Sequence, residues 1–416
     1  MTGLGWVFLG VVVAVTVIRL WLVGRELRHV RAHRGRVPLA FRGQVSPEAQ
    51  ARAADYACAR AQVARAETVM EAVVLLGLTL GGGAERILAF WGGGGLSPVT
   101  AGTGAILTVG AVMGLAELPF HAYRTFRVEG RFGFNRRGPG LFLRDILRET
   151  LVTLILLGPL TAGFLALMSD SGPYWWLAAW LLWGAFSLTL TWAYPKWIAP
   201  LFHRFTPLED PRLRDRIAGL LKRCGFALRG VFVMDASRRT AHGNAYFTGL
   251  GPAKRVVFFD TLLDALRPEE VEAVLAHELG HYRLGHIRSG LAVSLAAALV
   301  GLVLLAWLRG QPWFFHALGL SRPTDAGALI LVALAGPWLA FPLRPLSTAW
   351  SRRRERRADA FAVRFSDAGA LVRALVALYR VNASPLTSDP VYARVYHSHP
   401  GPAERIAALE ATAGKG

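Results

Sequence analysis

Apolar and polar positions alternate along the chain in long blocks rather than in the short periods of a soluble domain. Seven blocks are long and apolar enough to cross a bilayer, for which about 20 residues are needed: 4–24, 68–91, 101–120, 151–168, 174–194, 290–308 and 326–343. The first has Trp6 and Trp21 near its ends as interfacial anchors. It lacks a basic start and a small-residue cleavage site and holds Arg19, so it reads as a retained anchor, not a signal peptide. The second is the weakest, interrupted by Gly81, Gly82 and Gly83 and by Glu85 and Arg86. The fourth and fifth form a helical hairpin across the turn 169–173. Two polar stretches remain. Within 195–288, residues 210–224 have helical periodicity, while 230–234 and 255–259 are β-branched and aromatic, as in strands. Residues 244–248 are a candidate third strand, closed by Gly249, Leu250 and Gly251. The expected organisation is therefore spans 1–5 in 1–194, a compact polar domain in 195–288, spans 6–7 in 289–345 and a polar tail in 346–416.

Composition narrows this picture. Hydrophobic residues make up 53% of the 416 and charged ones 18%, with a mean hydropathy of +0.36, which excludes a disordered chain and an ordinary soluble enzyme. The formal net charge of +19 would suit a nucleic-acid binder. The arginines, however, sit in short stretches between apolar blocks, the pattern of membrane topology, and no nucleic-acid partner is expected. Arg25, Arg28, Arg31, Arg34 and Arg36 follow the first span, and Arg124, Arg127, Arg131, Arg136 and Arg137 follow the third. The turn 169–173 and the segment 92–100 carry no basic residue. Positive charge stays on the cytoplasmic side, so the N-terminus is expected outside and both polar stretches inside, facing membrane lipids through their arginines. Two cysteines, Cys58 and Cys224, are too few for a disulfide framework, and both fall on the inner side.

Chemistry concentrates in those polar stretches. Pro268, Glu269 and Glu270 open a helix that runs into His277, Glu278, Leu279, Gly280 and His281. Residues four apart share a helical face, so both histidines can grip one zinc ion, with Glu278 beside the open position as general base. Metzincins need a histidine at 287 and a glycine at 284, where this chain has Ile287 and Leu284. A downstream glutamate remains. Glu355 and Asp359 share a face of an arginine-rich helix, giving Glu355 as third ligand and Asp359 as the partner that orients a ligand histidine. The other reading of that helix is a charged stretch lying at the headgroups. The two are compatible, since arginines can snorkel while Glu355 faces inward.

With these motifs in place the chain resembles the type I CAAX prenyl endopeptidases, seven-span integral-membrane gluzincins with bacterial members. The likeness extends over Gly133, Phe134 and Asn135, over Asn244, Ala245 and Tyr246, through His277 to His286, and over Glu355 to Ala362, His399, Pro400, Glu404, Arg405 and Ile406. The resemblance implies a mostly α fold, with about seven transmembrane helices enclosing a chamber capped by a cytoplasmic metalloprotease domain with a small β-sheet. It implies one Zn2+ on His277, His281 and Glu355, Glu278 as general base, and His399 as oxyanion donor. Arg405 would be structural, and Asn244, Ala245 and Tyr246 would form an edge strand that receives substrate backbone. Substrates would be peptides or proteins, lipidated in the prenyl-processing members, and the expected location is a bacterial inner membrane with the site facing the cytoplasm. Glu71 and Glu117, inside spans, should face the chamber or a partner. His286 and His397 read as bystanders, and His242 has no assigned role. Two rivals are weaker. A site-2-type intramembrane protease needs an Asp-Gly motif, and no aspartate here precedes glycine. A non-proteolytic zinc scaffold or transporter would have no use for Glu278.

Overall fold

The structure is a computed structural model describing residues 2–226, 230–248 and 255–413. The turn at 249–251 and Lys254 lie outside the described residues. Helix α1 (Gly3–Ala32) is capped by Thr2 and α2 (Pro47–Leu78) by Ser46, with Pro47 in its first turn. At the Gly81–Gly83 run, α2 bends by 50° into α3 (Gly83–Gly92). Next come α4 (Pro98–Tyr123), α5 (Pro139–Asp170), α6 (Trp175–Ala193) and the short α7 (Ala199–Phe202). Among the described residues six helices are long and apolar enough to span a membrane, and the bent α2–α3 pair makes seven. The fold is thus mostly helical and multi-pass, as expected. Several helices overrun their apolar blocks: α5 begins at Pro139 rather than near 151, because Arg144, Asp145 and Arg148 interrupt the hydropathy without breaking the helix.

Helices α4, α5 and α13 border a half-open cavity of about 1050 Å³ lined by apolar Val109, Met113, Leu157 and Leu334 and by Glu117 and Glu149. Glu117 therefore opens into this cavity, whereas Glu71 is satisfied by Arg19 at 2.7 Å across the α1–α2 contact.

The polar stretches build a second body. After β1 (Phe205–Pro207) and α8 (Pro211–Cys224) come β2 (Gly230–Met234), β3 (Ala245–Thr248) and β4 (Arg255–Phe259). The sheet order is β1-β2-β4-β3, with β2 and β4 parallel and β3 antiparallel to β4, pairing Ala245 with Phe258 and Tyr246 with Val257. This leaves β3 on an edge. The unforeseen β1 is three residues long and ends in a proline, too short for a periodic signal. Then follow α9 (Asp260–Leu263), α10 (Pro268–Arg283), α11 (His286–Arg309), α12 (Pro312–Ala317), α13 (Asp325–Ala340), α14 (Arg344–Phe365), α15 (Ala368–Val381), α16 (Pro390–Tyr396) and α17 (Pro402–Ala413). One apolar core takes in Phe41, Leu220, Phe258, Leu275, Ala362 and Ile406, so the segments before and after spans 6–7 pack as one body together with the first loop.

Candidate active site

Helix α10 starts where Glu270 accepts the Arg267 backbone N–H at 3.0 Å, closing its first turn. Val271, Leu275 and Leu279 point into the core, which turns His277 and His281 toward α14. The two helices meet at Gly280, where a Cβ would lie 3.1 Å from the Ala358 carbonyl oxygen and 3.2 Å from the Phe361 Cβ. Such contacts are tighter than nearly all real Cβ contacts, so the approach favours a residue without a side chain.

That contact brings Glu355 against the histidine pair. His277 Nε2 is 3.1 Å from His281 Nε2 and 3.4 Å from Glu355 Oε2, and His281 Nε2 is 3.3 Å from Glu355 Oε1. A tetrahedral cation with bonds of about 2.0–2.1 Å would set its ligand atoms about 3.3 Å apart; each imidazole nitrogen stands near that distance from one oxygen of the carboxylate, and one ligand atom from each of the three residues lies within 4.8 Å of the others. Among the described residues Glu355 Oε2 is buried and accepts no hydrogen bond. A buried acceptor without a donor, facing two imidazole nitrogens, fits a divalent metal ion.

Around the cluster, the other ring nitrogens are held. Asp359 Oδ1 lies 2.8 Å from His277 Nδ1. Arg405 grips Asp359 with both arms of its guanidinium, at 2.7 and 2.6 Å, and all three residues are buried. Burial disfavours charge on His277, but the hydrogen bond to Asp359 and the neighbouring Glu355 carboxylate prevail and leave its pKa raised to about 9 while no metal competes. Burial likewise works against the Arg405 charge, and its fork on Asp359 outweighs it, raising the guanidinium above its ordinary value. Glu278 is partly buried beside the pair, and burial raises its carboxyl above the usual range, with both imidazoles opposing. His399 Nε2 stands 3.3 Å from Glu355 Oε2 on the exposed side of the cluster. The segment leading to it is fastened to α14, where Arg352 donates to the His397 carbonyl at 2.7 Å and Thr348 to the Arg394 carbonyl at 2.6 Å.

Strand β3, with Ala245 and Tyr246, packs against α10, and the Asn244 carbonyl accepts from Phe259 N–H at 3.0 Å. Just upstream, His242 is stacked on Phe134 (ring centroids 4.3 Å apart) and lies 3.2 Å from Glu129. Asn382 holds both backbone groups of Gly243 at 3.0 and 3.1 Å. No local pattern marked Asn382, since its partner lies 139 residues away. His397 contributes its carbonyl and a ring contact with Tyr392, in keeping with a bystander, whereas the ring of His286 reaches His281 at 3.1 Å.

The chain is similar to known proteins along most of its length. The family description "CAAX prenyl protease N-terminal, five membrane helices" matches residues 26–204, and "Peptidase family M48" matches 207–413. A CAAX prenyl protease 1 homolog of Arabidopsis thaliana is 37% identical over 304 residues, 71% of this chain and 70% of that protein. The Homo sapiens CAAX prenyl protease 1 homolog is 34% identical over 339 residues, again 71% and 70% of the two chains. The crystal structure of S. mikatae Ste24p superposes with a TM-score of 0.91 at 25% identity, over 99% of this chain and 100% of that one. Matched by family descriptions along almost its full length, the chain belongs to peptidase family M48, and it is a multi-pass membrane metalloprotease.

Proposed function

We propose that the protein is a zinc endopeptidase whose metal is held by His277, His281 and Glu355. The observation that carries this reading is the meeting of both imidazole Nε2 atoms, 3.1 Å apart, with one buried carboxylate, one oxygen of which lies 3.4 Å from His277 and the other 3.3 Å from His281, while Oε2 has no hydrogen bond. Zinc bound there would supply Lewis acidity to a scissile carbonyl and make a water more acidic. Glu278 then takes the proton of the attacking water and returns it to the leaving nitrogen, a task suited by its raised pKa. Asp359 accepts the Nδ1–H of His277, which keeps the Nε2 lone pair aimed at the cluster, and Arg405 holds Asp359 ionised. His399, on the exposed side, is placed to donate to the oxygen on which negative charge develops. The edge of β3, with Ala245 and Tyr246 in the strand and Asn244 just before it, suits a substrate backbone added as a further strand.

The substrate class follows from the relatives and the chamber. The named relatives are CAAX prenyl proteases, and the mainly apolar cavity extends to Thr240, just upstream of Asn244. Lipidated protein tails, with the lipid in the cavity and the peptide along β3, are the substrates this favours. The arginine-rich loops support a cytoplasmic site, with the N-terminus on the other side of the membrane. In this reading spans 1–194 and 289–345 carry a catalytic body made of 195–288 and 346–416.

The test uses purified full-length protein and a quenched peptide. Glu278→Gln should retain zinc and lose activity by about 10²- to 10⁴-fold. A chelator should abolish wild-type turnover and zinc restore it. Wild-type-like cleavage by Glu278→Gln would sink the mechanism.

A further inference from the structure

A histidine that offers one ring nitrogen to a metal carries its hydrogen on the other, and that N–H needs an acceptor. His277 has Asp359 for this purpose. His281 is served differently. Its Nε2 faces Glu355 at 3.3 Å, so its Nδ1 bears the hydrogen, and 3.1 Å from that atom lies Nδ1 of His286. Two imidazole nitrogens at this distance share one hydrogen, which makes His286 the acceptor and places its own hydrogen on Nε2.

The backbone brings the ring there deliberately. Helix α10 ends at Arg283, and Gly285 adopts φ +69°, a left-handed turn that starts α11 at His286. His286 is 3% exposed, its ring centroid lies 5.0 Å from that of His281, and its carbonyl accepts from Arg354, the neighbour of Glu355 on α14. The backbone of His286 is thus tied to the helix that supplies Glu355, and its ring to a histidine of α10.

We infer that His286 is a positioning residue of the metal site, accepting the Nδ1–H of His281 and fixing the plane and tautomer in which His281 meets the ion. The inference rests on the metal reading above. It also makes the site asymmetric: His277 is backed by an ionised carboxylate and His281 by a neutral imidazole, so His281 is the weaker electron donor and the ion stays more electron-poor than with two carboxylate partners.

The experiment measures Zn2+ affinity of full-length protein in detergent by competition with a chromophoric chelator. His286→Leu keeps the volume and removes the acceptor; His286→Asn puts an amide oxygen near the lost nitrogen. The leucine variant should bind zinc about 10- to 100-fold more weakly, and the asparagine variant should stay within a few-fold of wild type. Leucine equal to wild type, or asparagine as weak as leucine, overturns the inference, because packing alone would then account for His286. If the leucine variant does not fold, His286→Ala with added imidazole replaces it: recovery of affinity supports the assignment and lack of recovery refutes it. Wild-type protein that takes up no zinc is a separate result that removes the metal reading itself.

Discussion

Gly280 lies between the two histidines on α10 and faces Ala358, which lies between Glu355 and Asp359 on α14. An alanine Cβ there would sit 3.1 Å from the Ala358 carbonyl oxygen, 3.2 Å from the Ala358 Cα and 3.2 Å from the Phe361 Cβ. Carbon contacts rest at about 3.5–4.0 Å, and none of these three atoms is the free end of a flexible side chain. Helix α14 must therefore give by a few tenths of an ångström, taking Glu355 with it. The ligand distances to Glu355 are already 3.4 and 3.3 Å, and a metal site tolerates about 0.2 Å in its bond lengths. Overpacking of this kind costs about 1–3 kcal/mol, while alanine regains about 1 kcal/mol of helix propensity over glycine. The net cost in the metal-free protein is then about 0–2 kcal/mol. In the loaded protein the displacement of Glu355 remains, so Gly280→Ala should melt within a few degrees of wild type in chelator and yet bind zinc about tenfold or more weakly, since 1.4 kcal/mol is one decade. Thermal melts with and without chelator, beside a competition titration, separate the two effects. Wild-type zinc affinity in Gly280→Ala would show that the helix approach does not set the ligand spacing.

Two further outcomes follow from the same geometry. Arg352→Ala removes the anchor of the His397 carbonyl and should loosen His399; kcat is expected to fall about tenfold, short of the roughly 10²–10³ for deleting an oxyanion donor outright, with zinc affinity unchanged, and a lost zinc affinity would contradict the assignment. In chelator-treated protein the pKa of His277 is raised to about 9 in the folded state against an ordinary 6.5, so its contribution to stability is complete below about pH 6.5 and is lost as pH rises through 9; a melting temperature that climbs across that window instead would refute the sign.

Much of the fold could be read from the chain because hydropathy and period-two alternation are local quantities. Seven apolar blocks correspond to six long helices and one bent pair, and the bend falls where three successive glycines interrupt the second block. Three strands appear at 230–234, 245–248 and 255–259, in keeping with their β-branched and aromatic residues. Helix ends were less readable, since hydropathy registers what lipid covers and not where hydrogen bonding stops; α5 continues through Arg144, Asp145 and Arg148 because those residues are good or tolerable helix formers. The joint core of the two polar segments was out of reach, because Phe41, Leu275 and Ile406 are brought together only by the closed tertiary structure.

The site shows the same division, and His286 shows where it lies. Spacing of four on one helix puts His277 and His281 together without tertiary information, and the Glu355–Asp359 spacing works in the same way on α14. Joining the two helices required recognising a ligand set, not measuring a distance. On a continuous helix a residue five beyond His281 is rotated to about 140° from it and faces away, so helix geometry alone gives His286 no place at the site. The helix is not continuous: Gly285 turns left-handed and returns the ring to His281. The signal was present, since a glycine just past a helix that ends in a basic turn is a common stop. Read as a stop, Gly285 removes the reason for calling His286 a bystander, and the remaining question is what faces the second nitrogen of a ligand histidine. That nitrogen requires an acceptor whether or not the sequence advertises one, so asking for it at each ligand in turn singles out Asp359 for His277 and His286 for His281.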